Sequence, residues 1–273
     1  MLKSLSGFRD PRILVGFTLL LAIIITIFVV SSWSFERDQP RRPELIVMTS
    51  IPLQWGDATM AQIAKGEAEP SPLFGAIGVT NTVKLIDDVM QLGEPGKVPL
   101  LMIQPRAFAP VELVQLDAWV RNGGRAIIFA DPALDWPNEL SLGDQRRPLF
   151  TSLLNPLFRH WGVELALPVG ENEGIVEAEI AGYSLSLKSP GIWVLPPKTK
   201  ATARCAIRTD ELLALCRVGR GQALLVADAD VLHDAQWTDS VLTSGTIVWL
   251  NAIVNASRSG KPFPDTLWEI QGE

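Results

Sequence analysis

The chain has 273 residues, a formal net charge of −6 and a pI near 5.1. Its lysines and arginines are scattered along an acidic sequence, which argues against a nucleic-acid partner, because nucleic-acid sites need clustered basic residues. The length allows one membrane segment and one good-sized domain, and the 47% apolar content exceeds what a fully soluble protein needs.

The excess of apolar residues lies near the start of the chain. Residues 13–33 (ILVGFTLLLAIIITIFVVSSW) carry no charge and, as a helix, would cross the ~30 Å hydrocarbon layer of a membrane. A cleaved secretory signal is the alternative, but this run is longer than the core of a signal, and VVSSWS lacks a small-x-small cleavage pattern. The sequence therefore predicts a transmembrane anchor at 13–33.

The charges that flank the anchor predict its orientation. Lys3, Arg9 and Arg12 precede it, so the positive-inside rule keeps residues 1–12 in the cytoplasm, although arginines also follow the segment. We expect a single-pass protein of the inner membrane with the bulk of the chain in the periplasm. A polar, proline-bearing linker at 34–44 precedes an extracytoplasmic domain at 45–258, and residues 259–273 form a C-terminal tail.

The first half of the domain alternates strands and helices. ELIVMTSIP, VPLLMIQP and RAIIFADP are apolar runs that end in turn-forming residues, which indicates buried strands. MAQIAKG, VKLIDDVMQL (83–92) and PVELVQLDAWVRNGG (110–124) indicate helices, the last with Leu113, Leu116 and Val120 as its buried stripe. This order predicts a parallel α/β sheet with helices on both faces.

The second half has a different pattern. RPLFTSLLNPLFRHWG (147–162) indicates a helix that is interrupted or kinked at Pro156. Residues 163–218 hold short, often alternating apolar runs between turn signals, which predicts a β-rich section of antiparallel hairpins. GQALLVADAD then returns to a buried strand, and SGTIVWLNAIVNASRSG closes the domain as a helix with Ile247, Leu250 and Val254 inward.

The two cysteines fall in one predicted hairpin. If the chain reverses around Asp210 and Glu211, Cys205 lies directly opposite Cys216 on the face that Ala203 and Ile207 share. In an oxidising compartment the pair could form a disulfide; otherwise the two side chains are small buried hydrophobes. The spacing leaves both possibilities open.

Residues 100–132 (LLMIQPRAFAPVELVQLDAWVRNGGRAIIFADP) resemble a known family, the extracytoplasmic domain of gliding-motility-type auxiliary proteins of ABC transport systems. GRGQALLVADADVL and TSGTIVWLNAIVNA resemble a later strand and the last helix of that domain. The resemblance implies a flavodoxin-like sandwich similar to class I glutamine amidotransferases, with the β-rich section as an insertion. It also implies transporter permease and ATPase subunits as partners.

In the enzymes of that fold, the strand after the Gly-Gly turn leads into an elbow that carries a nucleophilic cysteine. The matching positions here are Ala130, Asp131 and Pro132, and neither cysteine is near them. A nucleophile needs a thiol or hydroxyl beside a base, and proline has no N–H for an oxyanion hole. The sequence thus predicts no amidotransferase chemistry and no cofactor.

Polar residues follow each predicted parallel strand, where ligands of open α/β sheets gather. They are Thr49, Ser50, Gln104, Arg106, Asp131, Asp228 and Asp230. Three carboxylates would suit a hard divalent cation, so Asp131, Asp228 and Asp230 are candidate metal ligands. The alternative is structural: these side chains cap turns by accepting backbone N–H bonds.

The expected function is a non-catalytic, membrane-anchored auxiliary component of an ABC-type transport system, acting in ligand binding or assembly. Two alternatives stay open at this stage. One is a metal-assisted hydrolase that uses the acids at the strand ends, and the other is a structural scaffold with no ligand.

Overall fold

The computed structural model describes residues 15–17, 19–28 and 42–264, apart from positions 57, 139, 142, 145–146, 169–173, 198–199 and 238–241. The chain divides into two compact units, Met1–Arg42 and Pro43–Glu273. In the first unit, the described residues are helical and exposed. Positions 13, 14, 18 and 29–33 of the predicted anchor lie outside the described residues. Within the part of the chain that is described, no helix reaches the length and apolar character required to traverse a bilayer.

Eleven strands and five α-helices are found in the described part of the second unit. The strands are β1 (Glu44–Thr49), β2 (Thr82–Leu85), β3 (Leu100–Ile103), β4 (Arg125–Phe129), β5 (Glu164–Ala166), β6 (Ile175–Ile180), β7 (Tyr183–Lys188), β8 (Ile192–Val194), β9 (Arg204–Arg208), β10 (Leu213–Val218) and β11 (Gly221–Val226). The helices are α1 (Met60–Lys65), α2 (Pro72–Thr80), α3 (Pro110–Arg121), α4 (Asn155–Trp161) and α5 (Gly245–Arg258).

Seven strands form the main sheet in the order β2-β1-β3-β4-β11-β10-β9. The first five are parallel to one another, and β10 and β9 add an antiparallel edge. A parallel order of 2-1-3-4-5 is that of flavodoxin-like, doubly wound sheets, whose switch point lies between the first and third strands. The predicted α/β class with a mostly parallel sheet is therefore confirmed.

Helices cover both faces of the sheet, as the alternating pattern predicted. α2 and α5 contribute Leu73, Ile77 and Leu250 to the core on one face, whereas α3 and α4 contribute Leu116 and Phe158 to the core on the other. β3, β4 and β11 are buried along their whole length. A strand that is buried on both faces must be apolar throughout, which explains LLMI and AIIF in the sequence.

The Gly-Gly pair at 123 and 124 ends α3 and starts β4 for a steric reason. Gly123 has φ +114°, a value that favours glycine. A Cβ on Gly124 would lie only 2.3 Å from the ring of Trp119, which joins Leu116 and Val120 in the buried stripe of α3. Leu113, the other residue predicted for the stripe, is only partly buried.

Two of the predicted helices are wrong in type or extent. Residues 83–92 form β2 and a 3-10 turn at Val89–Gln91, because β2 pairs in parallel with β1 and that pairing outweighs a helical spacing. The helix predicted at 147–162 is confined to α4, in which Pro156 occupies the first turn. Proline starts this helix rather than kinking it, since an N–H is not needed there. α2 was not predicted; Ser71 caps it by accepting from the Phe74 N–H.

The β-rich section at 163–218 does not form one separate insertion. β5 pairs with β8 and β6 with β7, each as an antiparallel pair outside the main sheet. β9 and β10 instead extend the main sheet beyond β11. The change of sequence pattern marks the start of antiparallel pairing, but it does not mark the edge of the sheet.

Cys205 on β9 lies opposite Cys216 on β10, in the register that the sequence predicted, and the two are joined in a disulfide. Cys216 is fully buried, and Ala203 and Ile207 pack against the same core. The bond ties the outermost strand of the sheet to its neighbour across a separation of 11 residues.

Removal of this disulfide should destabilise the sheet edge. Changing Cys205 and Cys216 together to alanine should lower the free energy of unfolding by about 3 kcal/mol, because the unfolded chain regains the freedom of a short closed loop. Urea unfolding with and without dithiothreitol measures this. The reductant should destabilise the parent chain and leave the double variant unchanged; equal sensitivity of the two proteins would contradict the assignment.

Candidate functional site

The carboxyl ends of β1, β3, β4 and β11 meet at one edge of the sheet, because these four strands are parallel and adjacent. The polar residues that the sequence predicted at the strand ends, which we call the rim residues, follow these strands. The structure brings most of them together, but hydrogen bonds to the backbone engage nearly all of their polar atoms.

Asp131 joins the end of β4 to the end of β11. Its side chain is fully buried, with Oδ1 accepting from the Ala133 N–H at 2.7 Å and Oδ2 from the Ala229 N–H at 3.0 Å. Its own N–H donates to Gln104 Oε1 at 2.9 Å, and its carbonyl oxygen accepts from the Ser152 N–H at 2.7 Å. Both carboxylate oxygens thus serve as acceptors for backbone groups.

Asp228 and Asp230 hold the segments next to β11. Asp228 Oδ1 accepts from the Val231 N–H at 2.9 Å, and its Oδ2 accepts from the Lys188 N–H at the end of β7 at 2.8 Å. Asp230 Oδ2 accepts from the Asp135 N–H at 2.7 Å. Asp230 Oδ1 differs: it is buried and has no hydrogen-bond partner.

The three acids form a buried cluster in which one oxygen of each lies within 4.8 Å of the others. Burial, partly offset by the backbone N–H bonds, raises the pKa of Asp131 to about 6. Burial first, and then the nearby Asp131 carboxylate, raise the pKa of Asp230 to about 7. The same two causes raise the pKa of Asp228 well above its ordinary value. The cluster therefore takes up protons near neutral pH.

The hydrogen bonds and the ion pair near the cluster decide which carboxylate oxygen could bind a cation. Lys188 Nζ pairs with Asp135 Oδ2 at 2.6 Å. Asp230 Oδ1 is the one carboxylate oxygen of the cluster without a hydrogen bond, so a divalent ion would have to bind there first. Asp131 and Asp228 would share oxygens that already accept N–H bonds, a poorer donor set than free carboxylates offer.

Gln104 organises the rim without facing a ligand. It is fully buried with φ +38°, and its Nε2 donates to the carbonyl oxygens of Asp131 and Leu149. Ser50 Oγ donates to the Gln104 carbonyl oxygen at 2.6 Å, and Thr49 Oγ1 accepts from the Ile51 N–H. These three predicted rim residues tie the loops after β1, β3 and β4 to one another.

Arg106 is not brought to the acids. Its guanidinium binds the Asp87 carbonyl oxygen and forms an ion pair with Glu112, near the start of α3. The side chain also lies over the ring of Phe108, at 5.1 Å from the centroid. Because Glu112 also accepts from the Ala109 N–H, this arginine stabilises the beginning of α3 and does not neutralise the buried cluster.

Sequence reasoning missed Lys188 and the cavities. Lys188 comes from β7, whose return to this edge is a long-range feature with no local signal. A cavity of about 670 Å³ opens beside the loop after β1, and its lining includes Pro52, Trp55, Met60 and Asn138. The lining is mostly apolar, and Asn138 Oδ1 is buried without a hydrogen-bond partner. In the sequence, the cavity is indicated only by the apolar residues around Trp55, and these lie in a segment without a regular helix or strand pattern.

The fold and this edge together define a mostly parallel α/β domain whose buried acids accept hydrogen bonds from its own backbone. Residues 81–166 match the model of a family described as an ABC-type uncharacterized transport system, an auxiliary group of proteins. The match covers β2 to β5, including α3, the Gly-Gly turn and Asp131, and it confirms the predicted resemblance over that range. No curated protein matches the chain.

Several solved structures are similar to this chain at low identity and with TM-scores below 0.5. The mmIFT52 N-terminal domain has a TM-score of 0.46 and 10% identity, covering 80% of this chain and 98% of its own. The exo-beta-1,4-mannosidase Op5Man5 from Opitutaceae bacterium strain TAV5 has a TM-score of 0.42 and 13% identity over 85% of this chain. The beta-galactosidase from Bacillus circulans sp. alkalophilus has a TM-score of 0.36 and 16% identity over 72% of this chain. The chain spans only 37% and 30% of these two glycosidases.

The buried cluster predicts how stability depends on pH. A carboxyl whose folded pKa exceeds its unfolded value favours folding below the unfolded pKa, and that contribution is lost as pH rises through the folded pKa. We expect the free energy of unfolding to fall between about pH 4 and pH 8, the range set by the ordinary aspartate pKa and the raised values of Asp131 and Asp230.

Asp230→Asn should flatten this profile, because it removes one titrating group and keeps an acceptor for the Asp135 N–H. The difference in free energy of unfolding between the variant and the parent should be about 1–3 kcal/mol more favourable to the variant at pH 8 than at pH 4. Urea unfolding at several pH values measures the profile, with Glu179→Gln on the exposed face of β6 as the control. A parent profile that rises over this range would refute the interpretation.

Proposed function

We propose that this protein is a non-catalytic, membrane-anchored auxiliary component of an ABC-type transport system that acts in ligand binding or assembly. The observation that carries the proposal is the family match at residues 81–166, which includes the strand end at Asp131. In this proposal, permease and ATPase subunits supply transport and energy.

The chemistry of the strand ends supports a non-catalytic role. Asp131 takes the position where the related enzymes have their nucleophile, and both of its oxygens accept backbone N–H bonds. Ser152, whose backbone N–H donates to the Asp131 carbonyl oxygen, uses its hydroxyl oxygen to accept from the Leu154 N–H. The proposal thus includes an amidotransferase-like framework that lacks the groups to attack a carbonyl.

The proposed placement is the inner membrane, with residues 13–33 as a single anchor and the domain in the periplasm. The apolar, uncharged sequence of this segment supports the anchor. The disulfide between Cys205 and Cys216 supports an oxidising compartment such as the periplasm.

The carboxyl-end edge offers a place for binding. The cavity beside Trp55 is lined by the segment that follows β1, at the end of the sheet where ligands of doubly wound folds bind. Its volume of about 670 Å³ is that of a typical ligand site, and Trp55 and Met60 are exposed there. This cavity favours binding over a scaffold with no ligand.

Association with a transporter is testable by co-purification. The tagged chain, purified from detergent-solubilised membranes of the cells that naturally express it, should co-elute with a transporter permease and an ATPase, which mass spectrometry identifies. Trp55→Ala with Met60→Ser should reduce that co-elution if the cavity edge takes part, because large exposed apolar residues contribute much of an interface. The matched control is Val111→Ser with Val114→Ser on the exposed side of α3. Failure of the parent chain to co-elute with either subunit would reject the transport role.

Divalent cations and the Asp131→Ala variant together test the alternative of a metal-assisted hydrolase. We expect no rise in melting temperature with Mg²⁺, Ca²⁺ or Mn²⁺, and a loss of about 2–4 kcal/mol in the variant, since two buried backbone N–H groups lose their acceptor. A metal-dependent rise that Asp131→Ala abolishes, together with hydrolysis of glutamine or a simple ester by the parent chain, would establish the alternative instead.

A further inference from the structure

The amino-end edge of the main sheet carries a row of arginines. In the pairing register, Arg125 on β4 is the partner of Gln222 on β11, which is the partner of Arg217 on β10, and Arg217 is the partner of Arg204 on β9. Partners in register project their side chains from the same face of a sheet. We call these three cations the arginine row.

The arginine row has no counter-ion. In the described chain, no carboxylate lies within ion-pair distance of any of the three. Arg125 is only 6% exposed, and its Nη1 donates to the Lys261 carbonyl oxygen at 2.5 Å. Arg217 directly faces Arg204, and like charges in opposite positions destabilise an antiparallel pair. An anion bound between Arg204 and Arg217 would relieve this repulsion.

Three further cations enlarge the row into a basic edge. Arg220 lies in the turn between β10 and β11 and donates to Asn122. Arg258, at the end of α5, donates to the Glu44 carbonyl oxygen and to Asn81, and its Nε is buried without a partner. Lys261 follows α5. None of these three forms an ion pair within the described residues. The basic edge is therefore defined by Arg125, Arg204, Arg217, Arg220, Arg258 and Lys261.

The chain also enters the domain at this edge. β1 begins at Glu44, and the Pro43 carbonyl oxygen accepts from the N–H of Thr82, the first residue of β2. Because β1 is parallel to β4 and β11, its amino end lies at the same edge as theirs. The linker at 34–44 can extend to at most ~35–40 Å. An anchor at 13–33 would thus keep the basic edge within reach of the lipid surface.

We propose that the basic edge binds the phosphate groups of anionic phospholipids in the membrane that anchors the chain. The inference rests on the proposed anchor. Guanidinium groups form paired hydrogen bonds to phosphate oxygens, and several cations on one edge add to an attraction that a zwitterionic surface does not provide. The amino end of β1 lies at this edge, so an anchor that precedes β1 would raise the local concentration of lipid.

The test uses the full chain in lipid nanodiscs and hydrogen–deuterium exchange. One set of nanodiscs contains phosphatidylglycerol and the other only phosphatidylcholine. Exchange of backbone amides in β9 and in the turn at 219–220 should be slower in phosphatidylglycerol, and 0.5 M NaCl should remove the difference. Each of Arg204→Gln and Arg217→Gln should reduce the apparent lipid affinity by about fivefold, the factor that corresponds to ~1 kcal/mol per basic residue near an anionic surface.

A matched control removes two positive charges at the opposite edge. Lys65→Gln with Arg106→Gln should leave the lipid-dependent protection unchanged, whereas Arg204→Gln with Arg217→Gln should abolish it. The second pair should also unfold at the same or a higher temperature in detergent, because it relieves the repulsion between facing arginines. This melting measurement separates a lost lipid contact from a misfolded edge.

The outcomes distinguish this inference from the proposal on which it rests. If the chain does not enter nanodiscs at all, the proposed anchor fails. If the chain enters them but exchange is equal in the two lipids, the anchor stands and lipid binding by the basic edge is rejected. Protection by inorganic phosphate in phosphatidylcholine nanodiscs would also overturn the inference, since it would indicate a free phosphate site.

Discussion

The buried carboxylate of Asp131 is the contact on which the carboxyl-end edge of this domain depends. β4 and β11 are adjacent in space but separated by about ninety residues of chain, so nothing local fixes the path of the backbone after both strands end. Asp131 supplies that connection by accepting one N–H from each segment. Gln104 then fixes the Asp131 backbone, and Ser50 fixes Gln104. The rim residues form a hydrogen-bonded chain that runs across four strand ends.

This arrangement gives a structural reason for three buried acids at one edge of the sheet. Carboxylates that cap backbone groups at adjacent strand ends are buried next to one another; burial raises the pKa of each, and the Asp131 carboxylate further raises the pKa values of Asp228 and Asp230. A raised pKa in a cleft is often a sign of catalysis. Here the structural cause is sufficient, because five of the six oxygens of Asp131, Asp228 and Asp230 accept backbone N–H bonds. Asp230 Oδ1 is the one oxygen of these six that accepts no hydrogen bond.

The sequence predicted the strands and helices that depend on local sequence patterns. Continuous apolar runs such as LLMI and GQALLV identified buried strands, and the Pro110 start and Gly-Gly end identified α3. The predictions failed where long-range pairing decided the outcome. Residues 83–92 have a helical spacing, yet β2 is a strand because β1 lies beside it. At the site, the strand-end acids could be found from sequence, but Lys188 and the cavity at Trp55 could not, since distant segments create both.

The scattered basic residues show the same limit most clearly. Scattered basic residues such as Arg125, Arg204 and Arg217 argued against a nucleic-acid partner, yet the register of four strands places these three in one row. The sheet therefore has the three buried carboxylates at one end and the arginine row at the other. The two ends respond to different conditions. Arginine stays charged at every physiological pH, so the basic edge is sensitive to salt, whereas the buried acids are sensitive to pH and shielded from salt. Measurements that vary salt and pH independently can thus assign an effect to one end of the sheet without any substitution.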